Sequence, residues 1–254
     1  RKSCSDDIMT IIALAGKGGV GKSTIASQIV RRLSARGTVL AVDADPNSNL
    51  SDKIGFETKG TIGELRDEII ADPGRVPSGV SKQQYVYDQV QRAMTETDSV
   101  DLLVMGRPEG EGCYCFINSA LKECFVKLIP NYDFTVVDNE AGMEHMSRKV
   151  LPQADVFLFV SDPTVTGIKT AGRLSELAEE VGIEIGRKIL IVNNLNGNMT
   201  EKLSHAAAEA GFGEILAFPR DSFITDSAME SEVLKVPDDT PFGKSVLKLL
   251  ALIV

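Results

Sequence analysis

Between Gly16 and Thr24 the chain reads G-K-G-G-V-G-K-S-T, with four glycines, two lysines and two hydroxyl side chains in one short stretch. Polyphosphate binding asks for that combination. Gly16, Gly18, Gly19 and Gly21 let the backbone wrap with its N–H groups turned inward, towards phosphate oxygens. Lys22 supplies a point charge to the β and γ phosphates, and the Ser23 hydroxyl is placed to ligate Mg2+. Val20 and Thr24 complete the G-x-x-x-x-G-K-[ST] pattern. A β-like run precedes the stretch and a helical pattern follows it, so the positive end of a helix adds to the cradle. The implied ligand is ATP or ADP with Mg2+. A chance glycine-rich turn would lack this strand and helix.

An acidic position further along the chain supports the same chemistry. The run Phe134 to Asp138, F-T-V-V-D, ends in a carboxylate suited to holding Mg2+ through water. Gly142 lets a following backbone segment approach the γ-phosphate, and Glu140 and His145 are candidate switch residues. His145 reads equally well as a surface histidine.

Lys17 exceeds what a phosphate loop requires. A second cation early in the loop points away from its own cradle, and could simply be a solvated lysine. With it, however, the stretch resembles the full K-G-G-x-G-K-[ST] deviant Walker A signature of MinD-, ParA- and nitrogenase-iron-protein-like ATPases. The resemblance implies that Lys17 reaches the phosphates of a partner chain, as an arginine finger does in trans. It implies that Asp45, in Val42 to Asn49 (V-D-A-D-P-N-S-N), orients the attacking water and helps hold Mg2+, with Asp43 beside it. An ordinary acidic turn has the same look. Lys17, Lys22 and Asp45 are thus the candidate catalytic residues. The resemblance also places Asn193 against adenine, whose edge an amide can both donate to and accept from. Pro219, Arg220 and Asp221 would border the base. Asparagine at a strand end is also a plain turn former.

Two of the four cysteines, Cys113 and Cys115, stand one residue apart, while Cys4 and Cys124 are scattered. A C-x-C offers two thiolates, whereas zinc takes four tetrahedral ligands and nickel can take four in a plane. Neither of the two histidines has metal-pair spacing with the cysteines. A second copy of the chain related by a two-fold axis would double the two sulfurs to four. Two unliganded thiols, a cramped redox dithiol, and an iron–sulfur cluster shared by two chains remain open as alternatives. Cys124 falls on a predicted helix and reads as a small apolar packing residue.

The string G-R-P-E-G-E-G-C-Y-C, Gly106 to Cys115, followed by V-D-N-E-A-G-M-E-H, Val137 to His145, resembles the CooC family of ATPases, and the resemblance spans essentially the whole chain. It implies an ATP-dependent homodimer that carries nickel, or zinc, between subunits. Its client would be carbon monoxide dehydrogenase, or acetyl-CoA synthase as for the related AcsF-type factors. Two other functions compete. A MinD/ParA-like positioning ATPase could use the C-terminal P-F-G-K-S-V-L-K-L-L-A-L-I-V, with Lys244 and Lys248, as an interfacial anchor. A final helix docked on the sheet has the same pattern. An iron-protein-like reductase would be coloured.

These residues need a scaffold that brings them to one edge. Apolar runs at Ile8–Ala15, Thr38–Val42, Val100–Met105, Phe134–Val137, Val156–Val160, Lys188–Val192 and Glu214–Phe218 read as strands buried on both faces. Amphipathic segments at Lys22–Ala35, Gly167–Val181 and Thr200–Ala210 alternate with them. The prediction is an α/β fold, a doubly wound, mostly parallel sheet flanked by helices, of the P-loop NTPase type. Ligands of such sheets bind beyond the carboxyl ends of the strands, where every motif above falls.

The 254 residues, 43% apolar and 25% charged, suit one ATPase domain over 1–254, with 1–8 an extension ahead of Met9 and Asp72 to Ser81 a loop within it. A net charge of −9 argues against nucleic acid as a partner. The lack of a leader or long apolar run, together with so few cysteines, predicts a cytoplasmic protein without membrane association.

Overall fold

Strand β1 (Thr10–Gly16) explains why the predicted strands read as unbroken apolar runs. Its side chains alternate between two separate cores, with Ile11, Ala13 and Ala15 entering one and Ile12 and Leu14 the other. Neither face can therefore be polar. The computed structural model describes residues 9–45, 49–72, 76–106, 115–139, 151–231 and 233–254, with residues 70 and 115–121 described by their backbone alone.

Strand and helix alternate along the chain as predicted. After β1 come α1 (Lys22–Leu33), β2 (Val39–Ala44), α2 (Asn49–Ile54), α3 (Ile62–Ala71), α4 (Lys82–Ala93), β3 (Thr95–Glu96) and β4 (Val100–Val104). Then follow α5 (Cys115–Leu128), β5 (Phe134–Asn139), β6 (Gln153–Ser161), α6 (Val165–Glu180) and β7 (Glu184–Leu195). The chain closes with α7 (Glu201–Glu209), β8 (Glu214–Pro219), α8 (Ser222–Glu230) and α9 (Pro241–Ile253).

The described strands form an eight-stranded sheet in the order β3-β4-β2-β5-β1-β6-β7-β8. All neighbours run parallel except β3, which pairs antiparallel with β4. The first half of the chain builds outward from β1 to one side and the second half to the other, which is the doubly wound α/β arrangement. Ile62 of α3, Val90 of α4, Phe125 of α5, Ile168 of α6 and Leu203 of α7 fill the core on one face. Ile29 of α1, Leu50 of α2 and Val246 of α9 fill the other.

The C-terminal segment, open between an interfacial anchor and a docked helix, is docked. Phe242, Val246, Leu249, Leu250 and Ile253 of α9 are buried, against β8 and α1. No described helix is long and apolar enough to cross a membrane.

Candidate nucleotide site

The chain leaves the buried end of β1 at Gly16 and turns into α1 through the glycine-rich loop. Gly21, the residue ahead of α1, has φ 98°, a left-handed conformation that favours glycine. A Cβ there would also meet the Asn193 amide nitrogen, which would have to shift from its place against the loop. Lys22 is 5% exposed, and its ammonium donates to the Lys17 carbonyl at 3.3 Å. The Lys17 side chain stands in solvent. The two lysines thus differ, one committed to the loop and the other exposed.

Two carboxylates lie beside the loop at the ends of adjacent strands. Asp43 and Asp138 pair in register across β2 and β5, and both are fully buried. Burial, then the neighbouring charge of Asp138, pushes Asp43 up to about 7. Its oxygens are occupied by backbone donors, with Oδ1 accepting from the Asp45 N–H at 3.3 Å. Oδ2 accepts from the Leu50 and Ser51 N–H groups at 2.9 and 3.3 Å, which holds the start of α2.

Asp138 is raised to about 6, chiefly by burial. The Ser23 hydroxyl and the Lys22 ammonium pull it partly back, and Asp45 pushes the other way. Both Asp138 oxygens nevertheless lack a hydrogen bond of ordinary geometry. A buried carboxylate left unpaired beside a hydroxyl and two further carboxylates fits a hydrated Mg2+, which takes oxygen ligands and retains water. Ser23, Asp138 and Asp45 are the residues that could hold it.

Across β6 and β7 a cavity of about 230 Å³ adjoins the loop, walled in part by Gly19, Thr24, Asp162, Asn193, Pro219 and Asp221. The pairing of β7 with β8 shifts register between Val192 and Leu195, and this bulge carries Asn193 and Asn194. Asn193 donates through Nδ2 to the Val20 carbonyl at 2.8 Å, leaving its amide oxygen for a ligand's donor. Pro219 and Asp221 line the cavity. Arg220 is exposed and forms no part of that wall.

The Asp221 carboxylate also fastens two helices. Oδ1 accepts from Phe223 N–H, capping α8, and Oδ2 accepts from Phe242 N–H at the start of α9, both at 3.0 Å. The signal was present in the sequence, since an aspartate immediately before a helix is a preferred N-cap. The capping role of Asp43 and the place of Asp162 in the cavity wall were also missed.

Cys113, Glu140, Gly142 and His145 lie outside the described residues, as does Cys4. Cys115 opens α5 and is described by its backbone only. Cys124 is 2% exposed, and burial pushes its thiol up to about 11. It packs as an apolar residue, as expected.

A P-loop strand-to-helix turn at the switch point of a mostly parallel sheet defines a P-loop nucleotide-binding fold. The chain belongs to the family described as the CobQ/CobB/MinD/ParA nucleotide binding domain, whose model matches residues 11–232. It is 34% identical to an uncharacterized ATP-binding protein of Methanocaldococcus jannaschii over 96% of this chain and 98% of that one. It is 31% identical to the carbon monoxide dehydrogenase accessory protein CooC of Rhodospirillum rubrum over 68% of this chain and 70% of that one. Its fold matches the cell division ATPase MinD of Pyrococcus furiosus with a TM-score of 0.69, at 19% identity, covering 96% of this chain and 98% of that one.

Proposed function

We propose that the chain, as one ATPase domain over residues 1–254, is an ATP-hydrolysing metallochaperone. In this reading two copies hold nickel, or zinc, between them and assist its insertion into carbon monoxide dehydrogenase or acetyl-CoA synthase. The observation that carries it is the Cys113-x-Cys115 pair in a chain similar to CooC. The loop amides and Lys22 hold the phosphates. Ser23, Asp138 and Asp45 hold Mg2+, which screens the charge of the phosphates when bound. Asp45 orients the attacking water. Lys17, exposed on its own chain, completes the partner's site, so that nucleotide state and dimer closure are one event. Asn193, with Pro219 and Asp221 around it, receives the base.

The test is metal analysis and sizing of the protein equilibrated with nickel and either ADP or ATP. The proposal expects ATP to favour a dimer and the nucleotide to change the metal retained. Metal content indifferent to nucleotide and to loss of Cys113 and Cys115 would overturn it.

The alternative, a MinD/ParA-like positioning ATPase, draws on the same fold. The buried apolar face of α9 argues against that helix as a membrane anchor. ATP-dependent flotation with liposomes would favour the alternative.

A further inference from the structure

Along the sheet, the strand ends beside the nucleotide cavity follow a fixed order, β5, β1, β6, β7, β8. β5 delivers Asp138, β1 the phosphate loop, β7 Asn193, and β8 Pro219 and Asp221. Neighbouring strands lie about 4.8 Å apart, so the three steps from β1 to β8 cover roughly 14 Å, enough to lay out a mononucleotide from phosphate to base. The step between phosphates and base belongs to β6. The residue immediately beyond β6 is Asp162, which lies in the wall of the same cavity as Gly19, Thr24 and Asn193.

We infer that Asp162 reads the sugar, its carboxylate accepting a hydrogen bond from a ribose hydroxyl and selecting ribonucleotides over deoxyribonucleotides. The inference rests on the nucleotide-binding reading of the cavity. The other carboxylate of the wall, Asp221, is already engaged, and the Asn193 amide has only its oxygen to offer. Both Asp221 oxygens cap helices, and the Asn193 amide nitrogen is bound to Val20. Asp162 accepts from the Thr164 hydroxyl through Oδ1, and Oδ2 takes no hydrogen bond among the described residues.

The carboxylate is also held in place. Thr164 caps α6 by accepting from the Gly167 N–H at 2.9 Å, so Asp162 is anchored to the start of a helix. A side chain at position 167 would run into the Asp162 carboxylate, and glycine leaves it room. The chemistry narrows what the free oxygen can accept. Phosphate oxygens and the ring nitrogens of adenine are acceptors that a carboxylate repels, which leaves two kinds of donor, the adenine amino group, matched by the Asn193 oxygen, and the ribose hydroxyls, which fall to Asp162.

Equilibrium binding of ATP, 2′-deoxyATP and 3′-deoxyATP, each with Mg2+, to the unaltered chain, Asp162→Ala and Asp162→Asn tests this. The unaltered chain should bind at least one deoxy analogue about tenfold or more weakly than ATP, the loss expected for a hydrogen bond to a charged group. The analogue that suffers identifies the hydroxyl. Asp162→Ala should bind ATP as weakly as that analogue and no longer distinguish the two, while Asp162→Asn, which keeps an acceptor oxygen, falls between. Equal binding of all three nucleotides by the unaltered chain overturns the inference without reference to any variant. So does Asp162→Ala protein that keeps the full preference. Failure of the unaltered chain to bind any nucleotide would overturn the nucleotide reading as well.

Discussion

Lys17 and Lys22 sit five residues apart on one loop, and their surroundings assign them opposite tasks. Lys22 is buried against the loop carbonyls, so Lys22→Ala should abolish ATP binding, and near-normal affinity in a calorimetric titration would refute its role. Lys17 points into solvent, so Lys17→Ala should leave ATP binding intact and block dimer closure and hydrolysis. Fully active Lys17→Ala protein, assayed for phosphate release, would refute a role in trans. The buried carboxylates make a prediction in pH. Asp43 is raised to about 7 and Asp138 to about 6, against about 4 for carboxylates in an unfolded chain. Between those limits the folded chain binds more protons than the unfolded one, so stability falls as pH rises. The contribution is present in full below about pH 4 and is lost as pH climbs through 6 to 7. Melting of nucleotide-free protein between about pH 5 and pH 8 should show Tm declining, and on the proposed Mg2+ role of Asp138 adding Mg-ATP should flatten the slope. A Tm that climbs across this range without Mg-ATP would show that these two groups do not control the trend.

At the scale of elements, Asp221 fastens two helices at once, α8 through Phe223 and α9 through Phe242. Pro241 at the first position of α9 has no N–H, which leaves Phe242 as the donor to be satisfied. Asp221→Ala should therefore cost about 1–3 kcal/mol, more than a single cap, and lower Tm by several degrees. An unchanged Tm would mean water replaces both bonds without loss. This residue also shows where sequence reading stops. The strands were legible because burial on both faces forces an apolar run, as in β1 and β5. The signature loop was legible because phosphate chemistry fixes its residue types. The helices α2, α3, α4 and α8 were not. In α4 only Val86 and Val90 are buried, and α8 buries no residue, so their apolar period is faint. The two-residue β3 is too short to show any period. Asp43 and Asp221 act through backbone N–H groups, and residue type alone did not distinguish caps from ligands.

On the scale of the whole molecule, the nucleotide site and the cysteine segment leave from neighbouring strand ends. β2 carries Asp43 and Asp45, and β4, hydrogen-bonded beside it, runs into the chain that leads to Cys113 and Cys115. Met105, just past β4, donates its N–H to the Asp43 carbonyl at 2.8 Å and accepts from the Gly63 N–H. A shift of β2 on nucleotide exchange would thus be felt at the root of the cysteine segment. Two thiolates per chain leave a thiophilic ion half-coordinated, so a divalent metal should bind at one ion per two chains. It should promote dimers even without ATP, because the ion itself joins the chains. Thiolates must lose protons to bind, so affinity should weaken below neutral pH. Cys113→Ala and Cys115→Ala should each lose the metal and keep ATP, because the phosphate loop hangs from a different strand. Cys4→Ala and Cys124→Ala should bind metal normally, and for Cys124 the buried, protonated thiol gives the reason. Equilibrium titration with nickel, followed through its thiolate charge-transfer bands and by sedimentation, measures the ratio. One tightly held ion per chain with no change in sedimentation would place a complete site within the monomer and end the shared-site proposal.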